Sequence, residues 1–182
     1  FNNIFVNSKI SMIIPEIGKN KINKIESLIS NNLIGIGFNE IINNSICSPD
    51  TNEKFKKQVV RLLNPQGIEL SNLRASLIPS ALETIKHNYN RQNKNLKLFE
   101  IGNTYSLDNE TYIENKRLNI AVTGKIFDEN WISKYSKNSF YYLKGVTENL
   151  LTQLNISNIR YEISNDKLFE YKLDIYSYKK HI

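Results

Sequence analysis

Glycine is scarce in this chain, with seven residues among 182. No G-x-G-x-x-G or G-x-x-x-x-G-K-[ST] run occurs, so a phosphate cradle built from loop amides is excluded by sequence. Cysteine is scarcer still. Cys47 stands alone, which rules out an internal disulfide and a zinc cage built on cysteines, and it reads as a small buried hydrophobe. There are two histidines, His87 and His181. Neither lies near a serine or cysteine in a nucleophile motif, and no histidine–carboxylate set has metal-ligand spacing. No apolar run approaches the ~20 residues that span a bilayer. The opening Phe1-Asn2-Asn3-Ile4 has no basic stretch leading into an apolar one, so no signal peptide is expected. The chain starts without Met, which points to a piece of a longer protein or a processed one.

What is present is an ordinary globular composition, 40 % hydrophobic and 23 % charged, with ten Tyr and eight Phe to build a core. A length of 182 suits one domain. The net charge of +6 favours anionic partners and keeps RNA in view. The basic residues are scattered, however, and the short groups Lys54-Phe55-Lys56-Lys57 and Lys179-Lys180 read as solvated faces. The frequent Asn, Lys and Ile need no more explanation than AT-rich coding.

Along the chain, residues 1–17 read as an extended lead-in from a preceding domain, and residues 18–182 as the core domain. Ile22, Ile25, Leu28, Ile29 and Leu33 recur at spacings of three and four, which predicts an amphipathic helix over 18–32 ended by Gly35 and Gly37. A strand is expected over 38–46, with Ser48-Pro49-Asp50 as its turn. Another follows over 59–63, closed by Asn64-Pro65-Gln66-Gly67, with extended chain again at 72–74. Ser76 or Ser80 caps a helix running to about residue 93, with Pro79 in its first turn and Leu82, Ile85 and Tyr89 as its buried stripe. Residues 96–105 alternate, with Leu96, Leu98 and Glu100 on one face and Lys97, Phe99 and Ile101 on the other. A strand over 118–123, a helix over 143–154 and strands over 159–163 and 168–178 complete the domain. The short connections predict mainly antiparallel pairing. The expected class is α+β, a largely antiparallel sheet flanked by helices.

One carboxylate stands out. Glu100 lies inside an apolar strand, where it must be paired or titrate upward. It is either a substrate-facing group on the sheet or half of a structural ion pair with Arg74 or Arg61. The structural reading is preferred, and Arg74–Glu100 is the candidate pair.

Several segments, in order, carry a family resemblance. Gly37-Phe38-Asn39-Glu40-Ile41-Ile42-Asn43-Asn44-Ser45-Ile46, following an amphipathic helix, resembles the helix–strand dimerisation motif of class II aminoacyl-tRNA synthetases. Leu73-Arg74-Ala75-Ser76-Leu77-Ile78-Pro79, then Asn88-Tyr89-Asn90-Arg91, then Leu98-Phe99-Glu100-Ile101-Gly102 are similar to the beta subunit of bacterial phenylalanine–tRNA ligase. So are Phe140-Tyr141-Tyr142-Leu143-Lys144-Gly145-Val146-Thr147-Glu148-Asn149-Leu150-Leu151 and, at the start, Phe1-Asn2-Asn3-Ile4, which resembles the end of that subunit's preceding small domain.

The resemblance implies a class II catalytic-like fold, cut short at its C-terminus here. It places this module in a cytoplasmic α2β2 enzyme that charges tRNA(Phe) with phenylalanine. The enzyme's ATP and magnesium chemistry then belongs to the alpha subunit, its tRNA is bound by the whole assembly, and no membrane is involved. Editing and anticodon-binding domains lie elsewhere in the full beta chain. No catalytic residue, metal or cofactor is expected in this module. Active class II enzymes continue this strand into an aromatic-Arg-x-Glu signature whose arginine grips the α-phosphate. Here the continuation is Tyr105-Ser106-Leu107-Asp108, and serine has no bidentate cationic fork. The Gly-rich, Arg-bearing last motif of the class is missing too. The expected use of the module is surface: Ile22, Ile25, Ile29, Phe38, Glu40, Ile42 and Ser45 are the candidate interface toward the alpha subunit. The competing functional class is a stand-alone basic RNA-binding domain, which would need a basic–aromatic cluster that is not evident.

Overall fold

In a computed structural model of the chain, residues 21–53, 59–126, 131, 140–166, 168–177 and 180–181 are described. The expected lead-in over 1–17 lies outside them. The first helix, α1, spans Lys21–Gly35. It closes with two reversed hydrogen bonds, Gly37 N–H to Ile34 O at 3.0 Å and Phe38 N–H to Leu33 O at 3.0 Å. This closure needs a left-handed residue, and Gly37 supplies it at φ +88°. It also brings Phe38 back onto Leu33, and both side chains enter the core.

The expected strand over 38–46 is instead two short ones, β1 (Asn39–Glu40) and β2 (Ile46–Cys47), with irregular chain between. Polar Asn43, Asn44 and Ser45 interrupt the alternation, and their groups bond elsewhere. The expected turn at Ser48-Pro49-Asp50 opens a short helix, α2 (Pro49–Glu53), because Pro at a first helical position sacrifices no hydrogen bond. The strand expected over 59–63 is reduced to one bridge, Arg61 to Asn72. After a single 3-10 turn at Ile68–Leu70 comes β3 (Asn72–Leu73), antiparallel to β2.

Helix α3 spans Ile78–Asn90 with Pro79 in its first turn. The Ile78 N–H bonds to Ser76 Oγ at 3.2 Å. Its buried face is not the expected stripe: Leu82 and Tyr89 are exposed, and Ala81 is buried. The inward face is rotated by one residue, about 100°. The small side chain at Ala81 lets the helix approach closely, and the half-buried Thr84, Ile85 and Asn88 continue that face.

The centre of the fold is one long hairpin. Strands β4 (Leu96–Asp108) and β5 (Thr111–Thr123) pair antiparallel along their whole length, from Leu96 opposite Thr123 to Asp108 opposite Thr111. The two-residue turn holds Asn109 at φ 44° and Glu110 at φ 65°, the left-handed pair that matches strand twist. Only the second half of β5 was expected from sequence. β1 joins the outer side of β4 in parallel, which short connections did not suggest. Helix α4 (Phe140–Gln153) and an antiparallel sheet of β6 (Ile159–Ser164), β7 (Lys172–Ser177) and β8 (Lys180–His181) follow. The expected last strand over 168–178 is thus shorter than its pattern implied. Pairing is largely antiparallel, in three small sheets among the described residues rather than one.

Residues directly opposite in β4 and β5 share a face. One face presents Phe99, Ile101, Ile120 and Val122 to Leu33 and Phe38, and to Val146 and Leu150 of α4. The other carries Leu96, Leu98, Glu100, Gly102 and Thr104, and lies toward residues 74–77.

Candidate functional site

The second face holds a buried polar cluster. Arg74 and Glu100 are 4 % and 2 % exposed, and Arg74 Nη1 lies 2.5 Å from Glu100 Oε1. Arg74 follows β3, and its backbone stitches two segments together: its N–H donates to Ser45 O at 2.9 Å, and its carbonyl accepts from Tyr105 N–H at 2.9 Å. Its guanidinium also donates to Asn103 O at 3.0 Å and to Asn43 O at 3.4 Å. The Glu100 carboxylate accepts from Asn43 Nδ2 at 2.8 Å and from the Asn43 N–H at 3.4 Å. Thr84 of α3 completes the set by donating to Asn43 Oδ1 at 2.9 Å.

Two buried charges are tolerated only when their hydrogen-bonding capacity is filled. Here the partners come from the segment over 41–45 and from β4, and α3 holds Asn43 in turn through Thr84. Gly102 makes room: a Cβ there would collide with the Arg74 guanidinium and press on Leu77 Cδ2 at 3.2 Å. Arg61, the other candidate partner for Glu100, is exposed and occupies the bridge to Asn72. Asn43, Thr84 and Gly102 were not singled out from sequence. Only the Gly after Phe99-Glu100-Ile101 offered a cue, since a glycine inside a strand signals close approach.

The hairpin carries an exposed arginine on the Glu100 face, Arg117 of β5, opposite Gly102. On β4 and β5, Lys97 stacks over the Tyr142 ring at 5.3 Å and Lys116 pairs with Glu26 of α1 at 2.6 Å. Both lie on the face turned toward α1 and α4. On the Glu100 face, position 106 is serine and the Arg74 guanidinium is committed to Glu100, so neither supplies a phosphate clamp. A cavity of about 430 Å³ beside Asn43 is lined by Ile46, Cys47, Thr51, Glu69 and Glu83 among others, with no basic side chain. Among the described residues, no three His, Cys, Asp or Glu gather as a metal site.

The candidate interface residues divide. Ile22 and Ile25 are about half exposed on α1, Glu40 is exposed, and Ile42 is 93 % exposed. Ser45 is half-buried. Ile29 packs against the core, and Phe38, 2 % exposed, is part of it. The helix closure that folds Phe38 onto Leu33 removes it from any surface a partner could touch.

A second polar cluster joins α4 to β6. Tyr161 donates to Glu148 Oε1 at 2.7 Å, Glu148 pairs with Lys144 one turn away, and the Lys144 ammonium sits 4.5 Å from the Tyr161 ring centre. Burial and the Glu148 carboxylate push the Tyr161 hydroxyl up to about 12. The hydrogen bonds from Lys144 and Tyr161 hold Glu148 below its ordinary value.

Comparison with solved structures gives the class. Two structures of pyrrolysyl-tRNA synthetase from Desulfitobacterium hafniense superpose with TM-scores of 0.67 and 0.65 at 16 % and 18 % identity. Each match covers 88 % of this chain and 57 % or 54 % of the other. The fold is the class II synthetase catalytic-like fold. The family described as "Phenylalanyl tRNA synthetase beta chain CLM domain" matches residues 8–175, and the chain belongs to it. Among curated relatives, the phenylalanine–tRNA ligase beta subunit of Bacteroides fragilis is 36 % identical over 170 residues, covering 86 % of this chain. That of Carboxydothermus hydrogenoformans is 37 % identical over 153 residues, covering 79 % of it. The chain spans about a fifth of the length of these relatives, 21 % and 19 %.

Proposed function

We propose that this domain is the non-catalytic core module of a phenylalanine–tRNA ligase beta subunit, supporting assembly with the alpha subunit that charges tRNA(Phe). The family match over residues 8–175 carries the reading. Its inactivity is supported by Ser106 at the position where the class resemblance calls for a phosphate-gripping arginine, and by Arg74 turned inward onto Glu100. ATP, magnesium and tRNA are then handled by the assembled enzyme in the cytoplasm. No helix among the described residues is long and apolar enough to cross a membrane.

The outer side of α1 and the segment after β1 form the docking surface in this reading. Ile22, Ile25, Leu28 and Ile42 leave large apolar side chains in water. The test is co-purification of the full-length beta chain with its matching alpha subunit. An Ile25→Asp substitution leaves the domain folded and weakens the complex; an unchanged complex counts against the surface. An ATP–pyrophosphate exchange assay on this chain alone gives no phenylalanine-dependent signal, and any such signal would revive an active site. Salt-sensitive binding of tRNA by the chain alone would favour the RNA-binding alternative.

A further inference from the structure

We propose that the outer face of α3 and the turn after it form an RNA-backbone site, built from Lys86, Tyr89 and Lys94. The proposal rests on the function above, since the RNA it meets is the tRNA of the assembled ligase. It gives that tRNA a contact on this module.

The run from residue 86 to residue 97 carries Lys86, Arg91, Lys94 and Lys97, with His87, and no Asp or Glu. Lys86 and Tyr89 share one face of α3 with Leu82, at spacings of four and three. Part of the apolar stripe expected to be buried lies on this face, yet Leu82 is 58 % and Tyr89 53 % exposed. The core does not use them. Lys94 reaches back to Tyr89, and its ammonium sits 5.1 Å from the ring centre. A half-exposed ring thus has one ammonium over it and a second lysine one helical turn away.

The other basic residues have work within the fold. Arg91 caps the helix, its Nη1 donating to His87 O at 3.2 Å, and Lys97 stacks over Tyr142. Lys86 and Lys94 are exposed, and among the described residues neither is in an ion pair. The one carboxylate of α3, Glu83, lines the cavity beside Asn43.

The turn that carries Lys94 is fixed. It closes the helix with Gln92 at φ 66° and the Asn93 N–H donating to Asn88 O at 3.1 Å. Thr123 Oγ1 then donates to Lys94 O at 2.7 Å, and the Lys125 N–H donates to Asn95 Oδ1 at 2.9 Å. Gly124, at φ +69°, comes so close that a Cβ would meet Lys94 O at 2.5 Å. The backbone under the patch is ordered before anything binds, which lowers the cost of binding.

A ring beside two cations suits a polyanion that also carries flat bases. Lysines meet phosphates as point charges, and the ring takes a base by stacking. Exposed Asn90, Gln92 and Asn93 add neutral donors around it. An acidic peptide would use the charges and leave the ring without a partner. Two lysines and one ring are too few for a stand-alone RNA-binding domain, so the patch adds to binding by the assembly.

The experiment uses the full-length beta chain assembled with its alpha subunit and a tRNA(Phe) transcript, with Kd measured over a range of salt. A Lys86→Gln/Lys94→Gln variant is expected to weaken binding and to lower the slope of log Kd against log salt by about 1 for each lysine. Tyr89→Ala weakens binding about tenfold, while Tyr89→Phe, which keeps the ring, binds as the parent does. An unchanged slope overturns the proposal even if Kd moves, because the face then acts through protein contacts. So does a Tyr89→Ala variant that binds as tightly as the parent, since the lysines are then a solvated face. Either failure falls on this proposal alone if the variants still co-purify with the alpha subunit; if the parent beta chain does not, the proposed function is itself wrong.

Discussion

The two faces of the β4–β5 hairpin solve the same burial problem by different physics. On one face, Phe99, Ile101, Ile120 and Val122 meet α1 and α4 through dispersion and exclusion of water. That packing is non-directional, and each side chain is replaceable by another of similar size. On the other face, Glu100 and Arg74 lie equally deep and depend on donor–acceptor geometry. Each member is needed because its partners have no water to turn to. The apolar face holds the domain together, while the polar face sets where its neighbouring segments run.

The largest effects should come from single deletions on either face. Phe99→Ala is expected to destabilise the chain by about 3–5 kcal/mol in equilibrium unfolding. Arg74→Ala costs a similar ~3–5 kcal/mol, since it strands a buried carboxylate. The faces separate in the second substitution: Glu100→Leu added to Arg74→Met should restore most of what Arg74→Met loses, whereas no second deletion rescues Phe99→Ala. If the pair variant were as unstable as the single, the ion pair would matter for more than its own charge balance.

Gly102→Ala tests the steric half of the polar face. The new methyl displaces the guanidinium, and the expected cost is about 1–3 kcal/mol. A neutral result would show that Arg74 can shift without loss.

The smallest effect belongs to Tyr161, a polar group nearer the surface. Its pKa is raised in the folded chain to about 12, so its contribution is complete below its ordinary 10.0 and is lost as pH climbs toward about 12. Glu148 is lowered, so its contribution is present above its ordinary 4.5 and fades as pH falls. Tyr161→Phe should flatten the alkaline limb of a melting-temperature–pH curve and lower the neutral plateau slightly, because the hydrogen bond to Glu148 is lost. Ultraviolet difference titration against that variant reads the hydroxyl directly.

Much of the fold was legible because long elements announce themselves. The periodicities of α1 and α4 and the alternation of β4 needed no partner to be recognised. Short elements were misplaced for a common reason. β1 and β2 are two residues each, and the bridge at Arg61 is one. Such pieces exist only because a neighbour accepts their hydrogen bonds. The half of β5 over 111–117 was missed because it carries Glu114, Lys116 and Arg117, polar residues that mimic a loop. The Asn109-Glu110 turn lacked the glycine that usually marks such a hairpin. At the site, Glu100 was conspicuous as a charge among apolar neighbours. Asn43 and Thr84 were not, since an Asn in an Asn-rich chain carries no signal of its own.

By itself the sequence determined the family, the α+β class, the apolar and polar faces of β4 and the serine at position 106, all of which depend on the order and type of nearby residues. Tertiary structure alone decided that Arg74 rather than Arg61 meets Glu100, that Phe38 turns inward, and that Ile42 stays in water. The meeting of Arg74 with Glu100 spans 26 positions, and the bond from Asn43, next to Ile42, to Glu100 spans 57. Only the closed chain brings such positions together.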